Sequence, residues 1–288
     1  MKISVQTDRL EMLEEIMKSS CDRVRFGTDF CEWKIPNLEV LKKAYSFVHE
    51  GGKEFIYVTP RLSNSSFKRV QEQLAFLSNN GRETKVVIND LGLISILEKY
   101  PNLKLHLGRR LVFMPARCPW IEETLFRAGF FERKKLEELY HQTSLNYAPT
   151  IHFYQKYGIK GVDVDWIPRS FLYLNFLIRN GFTVSVHIHL IPVTITRRCH
   201  TARFLSEKEP QICSRPCDKR AFLLKQPTLK KEFYLHGNTV FRFIQSSLKD
   251  VKQLHEQGIE ELVVTVNPIT KIDSGEKIDA FIQNLRKS

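Results

Sequence analysis

The sequence predicts an α/β protein built as a (β/α) barrel of the TIM type, closed or partly open, with a cysteine-bearing loop inserted late in the chain. Short apolar, β-branched runs recur with amphipathic segments between them, which is typical of parallel βαβ units. Because no linker rich in Gly, Ser or Pro interrupts this alternation, we expect residues 1–288 to form a single barrel domain. An open, doubly wound sheet is the alternative, although no GxGxxG motif follows the early strands.

Eight strands are expected. They are KISV (2–5), VRFG (24–27), FIYVT (55–59), VVIND (86–90), LHLG (105–108), VDVDW (162–166), VSVHIHLI (184–191) and ELVVTV (261–266). Each is a short apolar run bounded by polar, Gly or Pro positions, as expected for strands buried in a parallel sheet.

Helices are expected between these strands. The first long helix follows Asn37, which can cap it, and ends at Gly51; the next helix ends at Gly81. Residues 120–157 contain two or three further helices. Residues 196–226 lack a clean period and form the one long insertion, and such insertions are usually functional.

Composition narrows the class of protein. Hydrophobic residues make up 42% of the chain and charged residues 26%, which excludes a disordered or low-complexity protein. No apolar run approaches the roughly 20 residues of a membrane-spanning helix, and the N-terminus lacks a signal-peptide pattern, so we expect a cytoplasmic protein without a membrane span. The formal net charge of +12 permits an anionic partner, RNA included, but identifies none.

Four of the six cysteines are candidate metal ligands. Cys199, Cys213 and Cys217 lie in the inserted loop, and Cys31 follows the carboxyl end of its predicted strand. Because barrel enzymes gather their sites at that end of the strands, all four can meet on one face. Four thiolates suit either structural zinc or an iron–sulfur cluster, and the C-x13-C-x3-C spacing with one distant cysteine favours the cluster. Unligated, reduced thiols are the alternative.

Several motifs resemble those of a known family. They are RRCHTARF and QICSRPC around the clustered cysteines, FGTDFCEWK, VVINDLG, FYLHG and the strand at 258–266. In this order and over most of the chain they resemble the collagenase-like peptidase family U-thirty-two, in its short, single-domain branch. The resemblance implies a 4Fe–4S cluster held by Cys31, Cys199, Cys213 and Cys217. It also implies oxygen-independent hydroxylation of a small aromatic substrate, as in anaerobic ubiquinone biosynthesis, by a heterodimer with a related family subunit.

Two pairs of residues are candidates for catalysis. His187 and His189 are two positions apart in one predicted strand, so they should share a face, where they could bind metal or substrate or lie in an ordinary interior. Asp163 and Asp165 form a similar pair that could share a proton as an acid–base couple, with Asp165 nearer the carboxyl end. Salt bridges to arginines are the alternative explanation of the aspartates.

Polar residues at other strand ends are candidates for substrate binding. Asn89 and Asp90 end a buried strand, where they either contact a ligand or cap the following helix. Arg109, after another strand, could hold a carboxylate or phosphate by paired hydrogen bonds. Arg198 is a second candidate of this kind, and with Arg197 it would also stabilise the thiolate of the neighbouring cysteine.

The leading hypothesis is therefore an iron–sulfur subunit of an oxygen-independent hydroxylase. The alternatives are hydroxylation of RNA bases, an RNA-binding module with a structural metal such as zinc, and a cysteine peptidase. The sequence contains no HExxH or GxSxG motif, so peptidase activity would depend on Cys118 as the nucleophile. Cys118 could instead be an accessory metal ligand. Cys21, at the end of an amphipathic helix, is expected to be a buried thiol.

Overall fold

The computed structural model describes residues 1–80, 83–205, 213–228 and 231–287. The strands are β1 (Lys2–Thr7), β2 (Arg23–Gly27), β3 (Glu54–Val58), β4 (Thr84–Ile88), β5 (Leu103–Leu107), β6 (Gly161–Asp165), β7 (Thr183–His187), β8 (Leu190–Ile195), β9 (Phe222–Gln226), β10 (Lys231–His236), β11 (Thr239–Phe243) and β12 (Glu261–Thr265). The helices are α1 (Met12–Met17), α2 (Leu38–Glu50), α3 (Asn64–Asn79), α4 (Ile94–Leu97), α5 (Ile121–Arg127), α6 (Phe130–His141), α7 (Ala148–Lys156), α8 (Phe171–Arg179), α9 (His200–Phe204), α10 (Leu248–Glu256) and α11 (Gly275–Arg286).

Eight parallel strands close into a barrel. Their order around the barrel is β1-β12-β7-β6-β5-β4-β3-β2, and β1 closes the circle by pairing with both β2 and β12. Each of these strands overlaps one of the eight expected from the sequence, so the predicted TIM-type barrel is confirmed in its closed form, and the open doubly wound sheet is wrong. The strands are buried on both sides, inside against one another and outside against the helices, which explains their nearly continuous apolar runs.

The helices pack their apolar stripes on the outside of the barrel. In α2 the Asn37 side chain accepts a hydrogen bond from the backbone N–H of Val40 at 2.8 Å, which confirms the predicted cap. Leu41 and Val48 of this helix are fully buried, and each contributes about 1.5–3 kcal/mol by leaving water. The predicted end of the next helix at Gly81 lies outside the described residues.

A second, antiparallel sheet is built from the segment between β7 and α10. Its order is β8-β11-β10-β9. The expected structureless loop at 196–226 is therefore wrong in part: it contains α9 and β9, and residues 206–212 lie outside the described part of the chain. The sequence did not predict these strands because they are only partly buried and so lack continuous apolar runs, as the alternating burial along β10 shows.

The single strand expected at 184–191 is also wrong. The barrel strand ends at His187, and β8 of the second sheet begins at Leu190. Between them His189 has a φ of 73°, a left-handed conformation that turns the chain out of the barrel.

The second sheet covers the carboxyl end of the barrel. The side chain of Asn238, just after β10, donates to the backbone carbonyl of Phe30 in the loop after β2 at 2.9 Å. On the other side, Lys231 of β10 lies 2.6 Å from Glu122 of α5, and Arg242 of β11 lies 2.5 Å from the same carboxylate. The second sheet is therefore tied to the barrel both at the loop after β2 and at α5. Of the helices described, none is both long and apolar enough to cross a bilayer.

Candidate active site and metal centre

The loop after β2 delivers residues to the mouth of the barrel. At Gly27 the φ of 125° is one that side chains rarely adopt, and a Cβ there would lie 2.1 Å from the carbonyl oxygen of Val58. The chain can therefore turn tightly at this point. The turn sends Asp29 towards the barrel interior and Cys31 to the start of a 3-10 turn formed by Glu32–Lys34.

The four predicted ligand cysteines come from three segments. Cys31 precedes the 3-10 turn after β2, and Cys199 caps α9, its Sγ accepting a hydrogen bond from Ala202 N at 3.4 Å. Cys213 begins the next described segment, where its Sγ accepts from Arg215 N at 3.4 Å, and Cys217 lies in a second 3-10 turn. Backbone N–H groups directed at sulfur favour the thiolate and are common around iron–sulfur centres.

Two clamps hold these segments together. The Lys34 ammonium is buried and lies 2.7 Å from Asp8 and 2.6 Å from Asp218, the neighbour of Cys217. The Arg215 guanidinium donates to the Trp33 carbonyl at 3.3 Å. The loop that carries Cys217 is thus fixed to the turn that follows the first cysteine.

The thiols influence one another electrostatically. Burial raises the pKa of Cys31 to about 12, and the nearby Cys199 and Cys213 add to this rise. Burial also raises the pKa of Cys217 to about 12, against the effect of Lys34, while Cys31 again contributes to the rise. Without a metal these two thiols are neutral at pH 7, so binding of a metal would release their protons.

The sulfur spacing bears on the kind of metal centre. A tetrahedral zinc site with Zn–S distances of ~2.3 Å places its sulfurs about 3.8 Å apart. Among the described residues, the ligand-type groups with all donor atoms within 4.8 Å of one another are Asp29, Asp163 and His187, and no three of the cysteines meet that limit. The described cysteines therefore do not form a compact tetrahedral zinc site, and thiols are the donors that a four-iron cluster uses.

Below the cysteines, the barrel interior holds a cluster of buried charges. It comprises Arg25, Asp29, Arg109, Arg117, Asp163, Asp165 and His187, all nearly inaccessible to solvent. Arg25 lies 2.5 Å from Asp163, and Arg109 lies 3.2 Å from Asp29 and 3.0 Å from Asp165. Arg117 Nε lies 2.6 Å from Asp165 Oδ2 without the alignment of a hydrogen bond. Three arginines thus balance three aspartates, as burial of charge requires.

His187 is held neutral within this cluster. Burial lowers its pKa well below the ordinary value of 6.5, and the cationic Arg109 and Arg25 lower it further. Its Nε2 lies 3.0 Å from Asp163 Oδ2, so the neutral ring is best assigned with the proton on Nε2. The tight group of Asp29, Asp163 and His187 is not a convincing cation site, because both carboxylates already face guanidinium groups.

The predicted catalytic residues separate into two environments. Asp165 and His187 point into the barrel, where Asp165 holds Arg109 and Arg117. His189 does not share their face: its ring stacks on Phe243 at 5.4 Å, outside the barrel. This corrects the expectation from strand periodicity, because the left-handed turn at this residue ends the alternation. A catalytic role for these residues stays a prediction.

The predicted substrate-binding residues are similarly divided. Asn89 lies in the interior and donates to Asp29 at 3.2 Å, whereas Asp90 accepts from the backbone N–H of Gly92 at 2.8 Å, as a cap does. Arg109 is buried among acceptors, and Arg198 is exposed. Their contact with a substrate stays a prediction.

The remaining cysteines lie outside the candidate centre. Cys21 is buried after α1, and its thiol donates weakly to the Ile16 carbonyl at 3.8 Å. Cys118 is exposed at the end of a 3-10 turn, and in the described part of the chain no hydrogen bond joins it to a histidine.

Sequence reasoning missed four residues that hold the site together. Arg25 lies in a predicted strand, and Asp29 lies just after it. Because Arg25 stands between Val24 and Phe26, its charge falls on the interior face of that strand. That alternation was a usable signal. Lys34 and Asn238 gave no comparable signal, because their partners are distant in sequence.

An open cleft of about 510 Å³ lies beside the cysteines. Cys31 and Cys199 line it together with Trp33 and three arginines, Arg61, Arg110 and Arg197. This volume is within the ~300–1,000 Å³ range of small-molecule sites.

Comparisons with known proteins show distant likenesses of fold. Thiamine phosphate pyrophosphorylase from Pyrococcus furiosus has a TM-score of 0.48 at 10% identity, covering 99% of this chain and 96% of its own. KGPDC from Streptococcus mutans has a TM-score of 0.48 at 9% identity, covering 99% and 97%. A U32 peptidase has a TM-score of 0.47 at 11% identity, covering 92% of each chain.

No family model and no curated protein matches the sequence. At such low identities and TM-scores, the structural likenesses define neither a family nor a function for this chain.

Proposed function

We propose that Cys31, Cys199, Cys213 and Cys217 hold a 4Fe–4S cluster, and that the protein supports oxygen-independent hydroxylation of an aromatic substrate. The relevant relatives are the UbiV-like members of the U-thirty-two family, which the sequence motifs resemble. The observation that carries the proposal is the gathering of thiols from distant segments at the barrel mouth, beside a cleft of substrate size.

The spacing of the thiols favours a cluster over zinc. All the candidate ligands are thiols, and their spacing exceeds that of a compact tetrahedral site. The buried Lys34 lies close enough to Cys31 and Cys217 to lower the pKa of both thiols, and would offset part of the negative charge of bound thiolates.

The chain's own residues would divide the work at this site. When bound, the cluster supplies one-electron redox chemistry. The cleft wall at Trp33 offers a flat apolar surface for an aromatic ring, and the second sheet is tied over the loop after β2 by Asn238. Asp165 acts through Arg109 and Arg117, fixing the floor beneath the cysteines.

The test is anaerobic purification followed by measurement of iron and sulfide and by electron paramagnetic resonance. About four iron atoms per chain and a reducible cluster signal support the proposal. Cys31→Ser, Cys199→Ser, Cys213→Ser and Cys217→Ser should each lose most of the iron. The matched control is Cys118→Ser, an exposed cysteine outside the centre that should keep it. A colourless protein containing zinc alone, or full iron retention by Cys31→Ser, would refute the cofactor assignment.

The proposed partner is a related, UbiU-like subunit. Three phenylalanines at the junction of α5 and α6 are almost fully exposed: Phe126 at 85%, Phe130 at 81% and Phe131 at 82%. Exposed aromatic clusters of this kind are typical of protein interfaces. Phe130→Ser with Phe131→Ser should prevent copurification with the related subunit and leave the iron content unchanged. Copurification unaffected by these changes would contradict this choice of surface.

A further inference from the structure

Three arginines line the cleft beside the cysteines. Arg61 follows β3, Arg110 follows β5 and Arg197 follows β8, so three separate segments contribute arginines to the lining of one cleft. Within the described ranges, no hydrogen bond or ion pair reaches any of these guanidinium groups. The buried Arg25 and Arg109 differ in this respect, because aspartates contact both.

The described residues that line the cleft carry more positive than negative charge. Glu32 is the acidic residue among its lining, and its Oε2 accepts hydrogen bonds from Ser63 N at 3.1 Å and Ser66 Oγ at 3.0 Å. Among the described lining residues, three guanidinium groups and one carboxylate leave an excess of two positive charges. Burial and the neighbouring charge of Arg61 both lower the pKa of Arg110, and the attraction of Asp29 and Asp90, which lie outside the cleft lining, does not offset them. A bound dianion would balance the excess positive charge.

An aromatic surface lies against the same cleft. The indole of Trp33 is 43% exposed, and it lines the cleft together with Phe30. The Phe30 ring is fixed from behind by the Arg109 guanidinium, 4.7 Å from its centroid. The cleft therefore combines a flat apolar wall with a doubly positive pocket.

We propose that this cleft binds an aromatic phosphate monoester, with the phosphate held by Arg61, Arg110 and Arg197 and the ring against Trp33. A phosphate monoester carries a charge of about −1.5 to −2 at pH 7 and three acceptor oxygens, which matches the excess charge and the fork-shaped guanidinium donors. A monocarboxylate would leave one positive charge unmatched. This inference deepens the proposed function by naming the substrate class, and it rests on that function only for the chemistry that follows binding.

Two sources could supply such a group: a small phosphorylated aromatic compound, or a 5′-phosphorylated nucleotide end of RNA. Both present a terminal dianion next to a ring. An internal RNA phosphate is a monoanionic diester and should not satisfy the cleft. The probes are therefore phenyl phosphate, phenol, and a short RNA with and without its 5′-phosphate.

The experiment is isothermal titration of the full chain, purified anaerobically, with iron measured on the same samples. Wild type should bind phenyl phosphate and not phenol, because the arginines recognise the phosphate. Arg61→Gln and Arg110→Gln should each weaken binding about tenfold or more, since each removes a charge-assisted contact to the phosphate. The matched control, Lys135→Gln on exposed α6, should bind as wild type does.

The outcomes separate this inference from the proposed function. Phosphate-dependent binding lost in the arginine variants, with iron unchanged, supports it even if no iron is present at all. Binding of the phosphorylated RNA alone, lost on removal of the 5′-phosphate, supports the nucleotide source. Equal binding by the arginine variants, equal binding of phenol, or binding of RNA regardless of its 5′-phosphate overturns the inference. The inference is also overturned if wild type binds no phosphate and the arginine variants lose iron. That result would assign the arginines to the metal centre.

Discussion

Replacing Asp163 by asparagine tests the balance of charges inside the barrel. The carboxylate is fully buried and lies 2.5 Å from the Arg25 guanidinium. Removing one partner of a buried ion pair typically costs ~3–5 kcal/mol, because the remaining charge has no compensation. We expect a loss of about 3 kcal/mol in the free energy of unfolding for Asp163→Asn, at the lower end of that range. The asparagine oxygen can still accept a hydrogen bond, and Glu261 and Asp29 still act on Arg25.

The reciprocal change should behave differently with pH. In Arg25→Met the buried Asp163 can bind a proton, whereas an arginine cannot lose one. Burial already raises the pKa of Asp163 with its partner present, and loss of the cation raises it further. The folded variant then holds more protons than the unfolded chain, so its stability falls as pH rises, by up to ~1.4 kcal/mol per pH unit. The cost of Arg25→Met should therefore be smaller at pH 5 than at pH 8.

Urea denaturation of both variants at pH 5 and pH 8 measures these effects. The control is Lys277→Met, which removes an exposed ion pair with Asp273 on the protein surface and should leave the midpoint almost unchanged. The reasoning fails if Asp163→Asn is as stable as the control, or if Arg25→Met is destabilised equally at both pH values.

Three further predictions concern the barrel and its cover. Burial lowers the pKa of His106 well below 6.5, so just below pH 6.5 only the unfolded chain binds this proton and the folded protein loses stability. His106→Leu should therefore reduce the slope of unfolding free energy against pH between pH 6.5 and 5.5 by up to ~1.4 kcal/mol per pH unit. Equal slopes in the variant and wild type would contradict this. A Cβ on Gly161 would lie 2.0 Å from the His106 ring, so Gly161→Ala should cost about 1–3 kcal/mol in thermal or urea unfolding, and much less when His106 is also alanine. Asn238→Ala leaves the Phe30 and Thr196 carbonyls unpaired and should cost ~1–3 kcal/mol and speed proteolysis of the second sheet; unchanged cleavage would show that other contacts hold the cover.

The barrel could be predicted because its strands are buried on both sides. Runs such as Val86–Ile88 are apolar at successive positions, and the helices between them carry caps and apolar stripes that are local in sequence. The second sheet could not be predicted in the same way. Its strands are partly exposed and pair across the inserted segment, and the turn at His189 uses a left-handed backbone without a glycine to reveal it.

The cysteines of the candidate centre could be named from the sequence, but the ion pairs that surround them could not. Cysteine is rare enough that its clustering is visible in the sequence, and strand ends of a barrel meet on one face. The ion pair between Arg25 and Asp163 joins residues 138 positions apart, and either could have paired elsewhere. Such pairings are set by tertiary packing, which local sequence does not encode.

The second sheet is covalently attached to the barrel at a single junction, where its two ends lie side by side. The chain leaves the barrel at His189 and rejoins it at Ile244, and the two residues are joined by Ile244 N–H donating to the His189 carbonyl at 2.8 Å. The ring of His189 also lies 3.0 Å from the Ile244 carbonyl. Excision between these neighbours, with a short bridging turn, would spare all eight barrel strands and remove three of the four proposed cysteine ligands in a single genetic step. The same junction offers protein engineers a place to graft a different cap.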